Sequence, residues 1–190
     1  MKVRDVIKFR KNTPINFQSV MKIGHTTNKE CTMKLLDELP AKTTTKDLFP
    51  PGVKFCVLYC TRYDHSGHEI ASHWVLLTKR SSRVEIFEPL GNRLLTLVNK
   101  LGPIKSPGIR YWLTNSSTQE SPYKFQSDNS QECGDWCGLR IAMNNLTQRQ
   151  FRGFINSSHI DRESLLSLLV FLPLFHGTRE YMSPKQKEQN

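Results

Sequence analysis

The chain has 190 residues, 37% hydrophobic and 23% charged, with 10 Gly and 10 Pro, a composition that excludes low-complexity, collagen-like and intrinsically disordered classes. Such a length forms one domain that buries roughly 70% of its unfolded surface, so no disulfide or metal staple is required. Lys and Arg outnumber Asp and Glu 27 to 17, a net charge of +10 that favours polyanionic surroundings, but the basic residues are scattered and no run forms a basic arm.

In chain order, Asn28 to Leu39 reads as a helix, with Cys31, Leu35 and Leu39 on one face and Pro40 closing the pattern. Thr43 to Thr45 and Pro50-Pro51 mark loop. Val53 to Thr61 is rich in β-branched and aromatic residues and precedes the turn-forming Asp64-His65-Ser66-Gly67, a strand and a hairpin. Strands follow at Ser72 to Thr78, Arg83 to Phe87 and Ile109 to Thr114, giving a sheet of four to five strands. Asn92 to Leu101 carries Leu94, Leu95, Val98 and Leu101 at helical spacing, and Gly134 to Leu146 reads as a central helix. Asp161 is an N-cap for a last helix holding Leu165, Leu166, Leu168, Leu169 and Leu172, which Pro173 ends. The expectation is a single α+β domain over residues 1–181 with a disordered tail at 182–190.

No apolar segment follows the basic first residues, so no secretory signal is expected. The longest apolar stretch, Leu165 to Phe175, is about half the ~20 residues that a membrane span needs. Five cysteines cannot all pair within one chain, and a reducing compartment is the simpler assumption.

The residues that carry chemistry are His73 in HWVLL, Glu88 in FEPLG, and Gln126 and Cys133 in QSDNSQECGDWC. A thiol is a strong nucleophile only as thiolate, and its free pKa near 8.5 leaves little of that at neutral pH unless a cation or a helix N-terminus stabilises it. Cys133 stands where a loop enters the predicted central helix, at the positive end of the macrodipole. His73 is the candidate imidazolium partner and proton donor to a leaving amine, and Glu88 the group that orients its ring. The two lie near opposite ends of adjacent predicted strands joined by a short turn, which can bring both side chains to one sheet edge. Gln126 can point its amide at a developing oxyanion beside the Cys133 N–H.

The order His, Glu, Gln, Cys, with HW, FEP-apolar-G, Q-x-x-N-S-x-x-C-G and a further Cys four residues on, resembles the adenain-like cysteine peptidases of adenoviruses, virophages and Polinton-type elements, and more distantly the SUMO-specific proteases. The resemblance covers about residues 50–146. It implies a papain-like geometry with the nucleophile last in sequence, at the N-terminus of a central helix. It also implies a catalytic set of His73, Glu88, Gln126 and Cys133, and cleavage after Gly in capsid and other virion precursors during particle maturation. No cofactor is implied for the chemistry itself; the family's stimulation by DNA and a viral peptide suggests DNA as a partner through the basic surface. Cys31, Cys56 and Cys60 do not stand at the family's activator position, so no disulfide-linked activator is expected. A monomer, located in the virion and at the viral assembly site in the host cytoplasm or nucleus, completes the expectation. The chain departs from the family at Asp135 and Trp136, where small or apolar residues are usual, and at Gly138, which replaces a bulkier one.

Other readings compete with these. Cys137 also precedes Gly and has Gln131 six residues upstream; one turn into the helix, it is expected as core packing. Cys56, Cys60, His65, His68 and His73 suggest a metal, but on a strand Cys56 and Cys60 are about 13 Å apart, too far for one ion with ~2.3 Å bonds to sulfur. The same peptidase chemistry could act on a ubiquitin-like modifier of the host. A nucleic-acid-binding module with a vestigial site is the alternative outside enzymes, and the intact set of four polar residues argues against it.

Overall fold

The computed structural model describes residues 16–100, 107–120, 123–128 and 130–170. Its frame is a mixed sheet of β1 (Cys31–Leu35), β2 (Phe55–Tyr63), β3 (Glu69–Lys79), β4 (Val84–Phe87) and β5 (Thr118–Glu120), in that spatial order. β1 runs parallel to β2 and β5 parallel to β4, whereas β2–β3 and β3–β4 are antiparallel. The helices are α1 (Phe17–Ile23), α2 (Thr45–Leu48), α3 (Leu94–Lys100), α4 (Gly108–Asn115), α5 (Cys133–Ala142), α6 (Gln148–Ser157) and α7, described over 162–170. Among the described residues, no helix is long and apolar enough to cross a membrane.

Strand alternation divides the apolar residues between two cores. Val57, Leu76 and Phe87 face α1, α5, α6 and α7 through Val20, Ile23, Trp136, Leu139, Phe151 and Leu166. Cys56, Leu58, Cys60, Val75, Leu77 and Ile86 face α2, α3 and α4 through Leu48, Leu94, Val98, Ile109 and Trp112. A sheet buried on both faces explains why β4 has no polar alternation: all four of its residues are buried, Glu85 among them. Glu85 Oε2 accepts from Arg80 Nη2 at 3.0 Å and from Arg140 Nη2 at 3.4 Å. Arg140, itself buried at the end of α5, donates further to the carbonyls of Met143 and Leu146. A buried charge needs such partners.

The β2–β3 hairpin, the strand at Ser72 to Thr78 and the strand at Arg83 to Phe87 stand where the sequence puts them. In the turn, Asp64 Oδ1 accepts from the N–H groups of Ser66 and His68, and Gly67 takes φ +82°, the left-handed conformation that glycine adopts without a steric cost. α3 falls within the expected span, and Asp161 Oδ1 accepts from Ser164 N at 2.9 Å as the expected cap. α5 begins one residue earlier than expected, at Cys133, and ends at Ala142. Leu101, Leu172, Pro173 and the tail lie outside the described residues.

Two expectations are corrected. The predicted helix from Asn28 to Leu39 is instead β1 and a 3-10 turn over Leu36–Glu38. Cys31 to Leu35 pair in register with Phe55 to Tyr59, and of these five residues only Cys31 is buried; Cys31 and Leu39 enter opposite cores, so the i, i+4 pattern has no single core to face, while the ladder on β2 satisfies the backbone. The predicted strand Ile109 to Thr114 is α4, with Ile109 and Trp112 buried and Tyr111 exposed. Burial at i and i+3 is a helical period, and in a strand Ile109 and Tyr111 would share a face. Trp112 Nε1 also donates to Thr45 Oγ1 of α2 at 3.1 Å. The fifth strand is β5, and α1, α2 and α6 have no counterpart in the sequence reading.

Candidate active site

Strand register puts an imidazole and a carboxylate on one face. His73 pairs with Cys60 on β2, and alternation gives it the face of Val75 and Leu77. Glu88 follows the last residue of β4 and shares the parity of Ile86. β4 ends at Phe87 opposite Leu76, so Glu88 lies diagonal to His73 across the two strands, a separation that long side chains bridge. They do bridge it: His73 Nε2 donates to Glu88 Oε1 at 2.6 Å, with both side chains buried.

The carboxylate is itself held by the backbone that follows it. Oε1 accepts from Leu90 N at 2.8 Å and Oε2 accepts from Asn92 N. The turn closes through Gly91, at φ +76°, where an added Cβ would stand 2.8 Å from Lys124 N, so both conformation and space require glycine there. Glu88 therefore points one way, and its orientation is transmitted to the ring.

Because β4 stops at Phe87, the edge of β3 at Trp74 and His73 is left for α5. Cys137 lies against this edge, its thiol donating to Trp74 O at 3.7 Å. One turn earlier, at the first residue of α5, Cys133 lies beside the His73 ring, close enough to favour its charged form. With Nε2 given to Glu88, Nδ1 is the ring nitrogen left for the thiol. The N–H of Cys133, in the first turn, has no intrahelical partner. Burial pushes the imidazole toward its neutral form, but the hydrogen bonds and charges of Cys133 and Glu88 outweigh it and raise the pKa from 6.5 to about 9. The ring is therefore an imidazolium at neutral pH, the partner a thiolate needs.

Gln126 is positioned by the same turn that holds Glu88. Pro89 O accepts from Phe125 N at 2.8 Å and from Gln126 N at 2.9 Å, and the Phe125 ring plugs the core among Phe87, Trp136 and Phe151. The Gln126 side chain is buried, and its Nε2 donates to Ser130 O at 2.6 Å, which leaves the second amide hydrogen for another acceptor. The sequence alone does not reveal this Pro89 link; its signal is the turn residues of EPLG between the carboxylate and the helix α3.

The other thiols differ. Cys137 is fully buried and, by desolvation first, its pKa is raised well above that of a free thiol. Burial pushes Cys31 up to about 12 and raises Cys56 and Cys60 as well. All five cysteines are free. His65 and His68 are exposed in the hairpin turn, away from Cys56 and Cys60 in the core. Trp74 points to the opposite face of β3 from His73 and packs edge-on against Tyr59, ring centroids 5.2 Å apart. Asp135 and Trp136 are both buried in the first turn of α5. Gly138 faces α1: an added Cβ would stand 2.8 Å from Ile23 Cβ, so the missing side chain lets the two helices close.

Chemically, the arrangement offers a thiol, a proton-carrying imidazole with a fixed ring, and amide donors at a helix start, the parts of a nucleophilic acyl-transfer site. No family model matches the chain, and no curated protein matches it significantly.

Proposed function

We propose that the protein is a cysteine endopeptidase of papain-like geometry in which Cys133 is the nucleophile, His73 the general acid and base, Glu88 the group that orients His73, and Gln126 an oxyanion donor. The observation that carries this reading is one buried imidazole that donates to Glu88 at 2.6 Å and has the Cys133 thiol, at the start of a helix, beside it.

In the proposed reaction the Cys133 thiolate attacks a peptide carbonyl, and the oxyanion is met by the Cys133 N–H and the Gln126 amide. His73 then passes its proton to the leaving amine as the C–N bond breaks, leaving an acyl-thioester. Neutral His73 takes a proton from water and becomes the imidazolium, the hydroxide equivalent attacks the thioester, and breaking of the C–S bond releases the acid and the Cys133 thiolate, which restores the thiolate–imidazolium pair. Glu88 keeps Nε2–H turned toward itself, so that Nδ1 faces the sulfur.

The substrate we propose, on the resemblance in motif order, is a capsid or other virion precursor cut after glycine. A narrow channel beside the nucleophile would reject side chains there. The net charge of +10 supports DNA as a partner that concentrates enzyme and substrate on a packaged genome. Co-expression with a capsid precursor tests the reading: the wild-type enzyme generates new termini after glycine, and Cys133→Ala abolishes them while retaining the thermal transition. Cleavage that persists in Cys133→Ala, or Cys133 inert to thiol-directed probes, overturns it. Reaction of Cys133 with ubiquitin or SUMO vinyl sulfone without precursor cleavage would keep the chemistry and replace the substrate.

A further inference from the structure

The segment that carries Gln126 is tied to the molecule from two sides. On the inner side are the Pro89 carbonyl bonds and the buried Phe125 ring. On the outer side is α7, which the motif resemblance does not reach. Arg162 Nη1 donates to Lys124 O at 2.7 Å, and Arg162 Nη2 donates to the Tyr123 hydroxyl at 2.7 Å. The same hydroxyl donates to Asn156 Oδ1 at 2.8 Å on α6. The Tyr123 ring lies under two guanidinium groups, Arg152 Cζ at 4.1 Å and Arg162 Cζ at 5.3 Å from its centroid. One residue past Gln126, Ser127 Oγ donates to Glu163 Oε1 at 3.3 Å.

A single guanidinium thus bonds both the backbone two residues before Gln126 and the side chain three residues before it. The planar fork of arginine can meet two acceptors at once in fixed directions, which lysine cannot do. The amide of Gln126 is already committed by one hydrogen to Ser130 O, so the direction of the other hydrogen follows the placement of the backbone at Gln126. A displacement of about 1 Å in a donor of this kind can cost as much as ~10²-fold in rate.

We propose that Arg162, acting with Tyr123, is a positioning residue for the oxyanion donor: it holds the backbone that carries Gln126 in the conformation from which its free amide hydrogen meets the reacting carbonyl. The inference rests on the peptidase reading and adds to it a residue from α7. Arg162 touches no reacting atom; its effect is confined to steps that develop an oxyanion.

That confinement provides the test. Hydrolysis of a fluorogenic peptide coumarin amide with an upstream apolar residue and Gly-Gly before the coumarin passes through an oxyanion. Alkylation of Cys133 by iodoacetamide is a displacement at carbon and forms none. In Arg162→Ala the expected result is a fall of about tenfold in kcat, below the ~10²-fold that a lost donor causes, with KM and the alkylation rate of Cys133 within about twofold of wild type. Arg162→Lys should recover only part of the kcat, and Tyr123→Phe, which keeps the ring but removes the hydroxyl, should lose a smaller part. An unchanged kcat in Arg162→Ala overturns the inference. So does a fall in kcat matched by an equal fall in alkylation, which marks a merely structural role. Wild-type protein that neither hydrolyses the peptide nor alkylates at Cys133 would instead refute the peptidase reading itself.

Discussion

At the scale of single residues, the His73 ring is where competing terms meet. Burial favours its neutral form, and the bonds to Cys133 and Glu88 favour the charged one; the latter prevail, with a folded pKa of about 9 against 6.5 for a free ring. A group whose affinity for a proton is raised by folding contributes stability that is complete below about pH 6.5 and is lost as pH rises through about 9. Thermal unfolding should therefore show a midpoint that declines between roughly pH 7 and 9.5. The His73 ring, followed by NMR, should titrate in the same window. Glu88→Gln removes the charge opposite Nε2, so the ring should titrate lower and the alkaline decline in midpoint should flatten. Cys133→Ala should shift the ring in the same direction, because it removes the second bond; an unchanged His73 titration in both variants would show that the ring owes its charge to neither.

At the scale of elements, α1 and α5 approach each other closely because side chains are missing where they meet. Gly138 stands under Ile23, and Gly24 stands under Ile141, with added Cβ atoms 2.8 and 2.7 Å from those side chains. Gly138→Ala gains up to ~1 kcal/mol of helix propensity but must displace Ile23 at its branched, stiff Cβ; overpacking of this kind costs about 1–3 kcal/mol. The net expectation is destabilisation by about 1 kcal/mol in urea unfolding, partly relieved when Ile23→Ala is combined with it, a coupling that the double-mutant cycle measures directly. Had α1 been free to shift, the substitution would stabilise instead. The same elements show what the sequence can and cannot convey. The β2–β3 hairpin was legible because Val53 to Thr61 is β-branched and aromatic and ends in a turn tetrapeptide. The helix bearing Cys133 was legible from its apolar circumference. β1 was not, since Cys31, Leu35 and Leu39 satisfy a helical period by coincidence and the deciding interaction is a ladder with β2, more than twenty residues away. α4 was not, because a short apolar run such as Ile109 to Thr114 fits either period until Trp112 finds Thr45. In the site, His73, Glu88, Gln126 and Cys133 are each legible as motif residues. The supporting links are not legible: Pro89 acts through its backbone carbonyl, which leaves no mark in residue type, and the glycine at 91 and the arginine at 162 show their partners, Lys124 and Tyr123, only once the chain is folded.

At the scale of the whole molecule, the site is assembled from β3, the end of β4, the loop before α5, and α5 itself, and its parts belong to both faces of the sheet. His73 and Glu88 share the parity of the core beneath α2, α3 and α4, whereas α5 packs on the opposite face. A molecule in which one face could melt alone would lose the His73 to Cys133 contact while keeping half of its structure. The sheet argues against such independence: every residue of β4 is buried and its two faces feed both cores, so neither core survives loss of the strand. The indoles allow this to be measured, because Trp112 is fully buried in one core and Trp136 in the other. In Trp136→Phe, with Trp74 as a common background, the fluorescence change on unfolding reports the core of Trp112; in Trp112→Phe it reports the core of Trp136. Each variant will have its own midpoint in urea, so the comparison is made within a variant, between fluorescence, far-ultraviolet circular dichroism and the protection of Cys133 from iodoacetamide. For a single cooperative unit the three transitions coincide in both variants, as two-state unfolding requires. Separation of fluorescence from circular dichroism in either one would reveal a face that unfolds on its own, and would place the assembly of the His73–Cys133 pair, rather than the folding of either layer, as the step that limits activity.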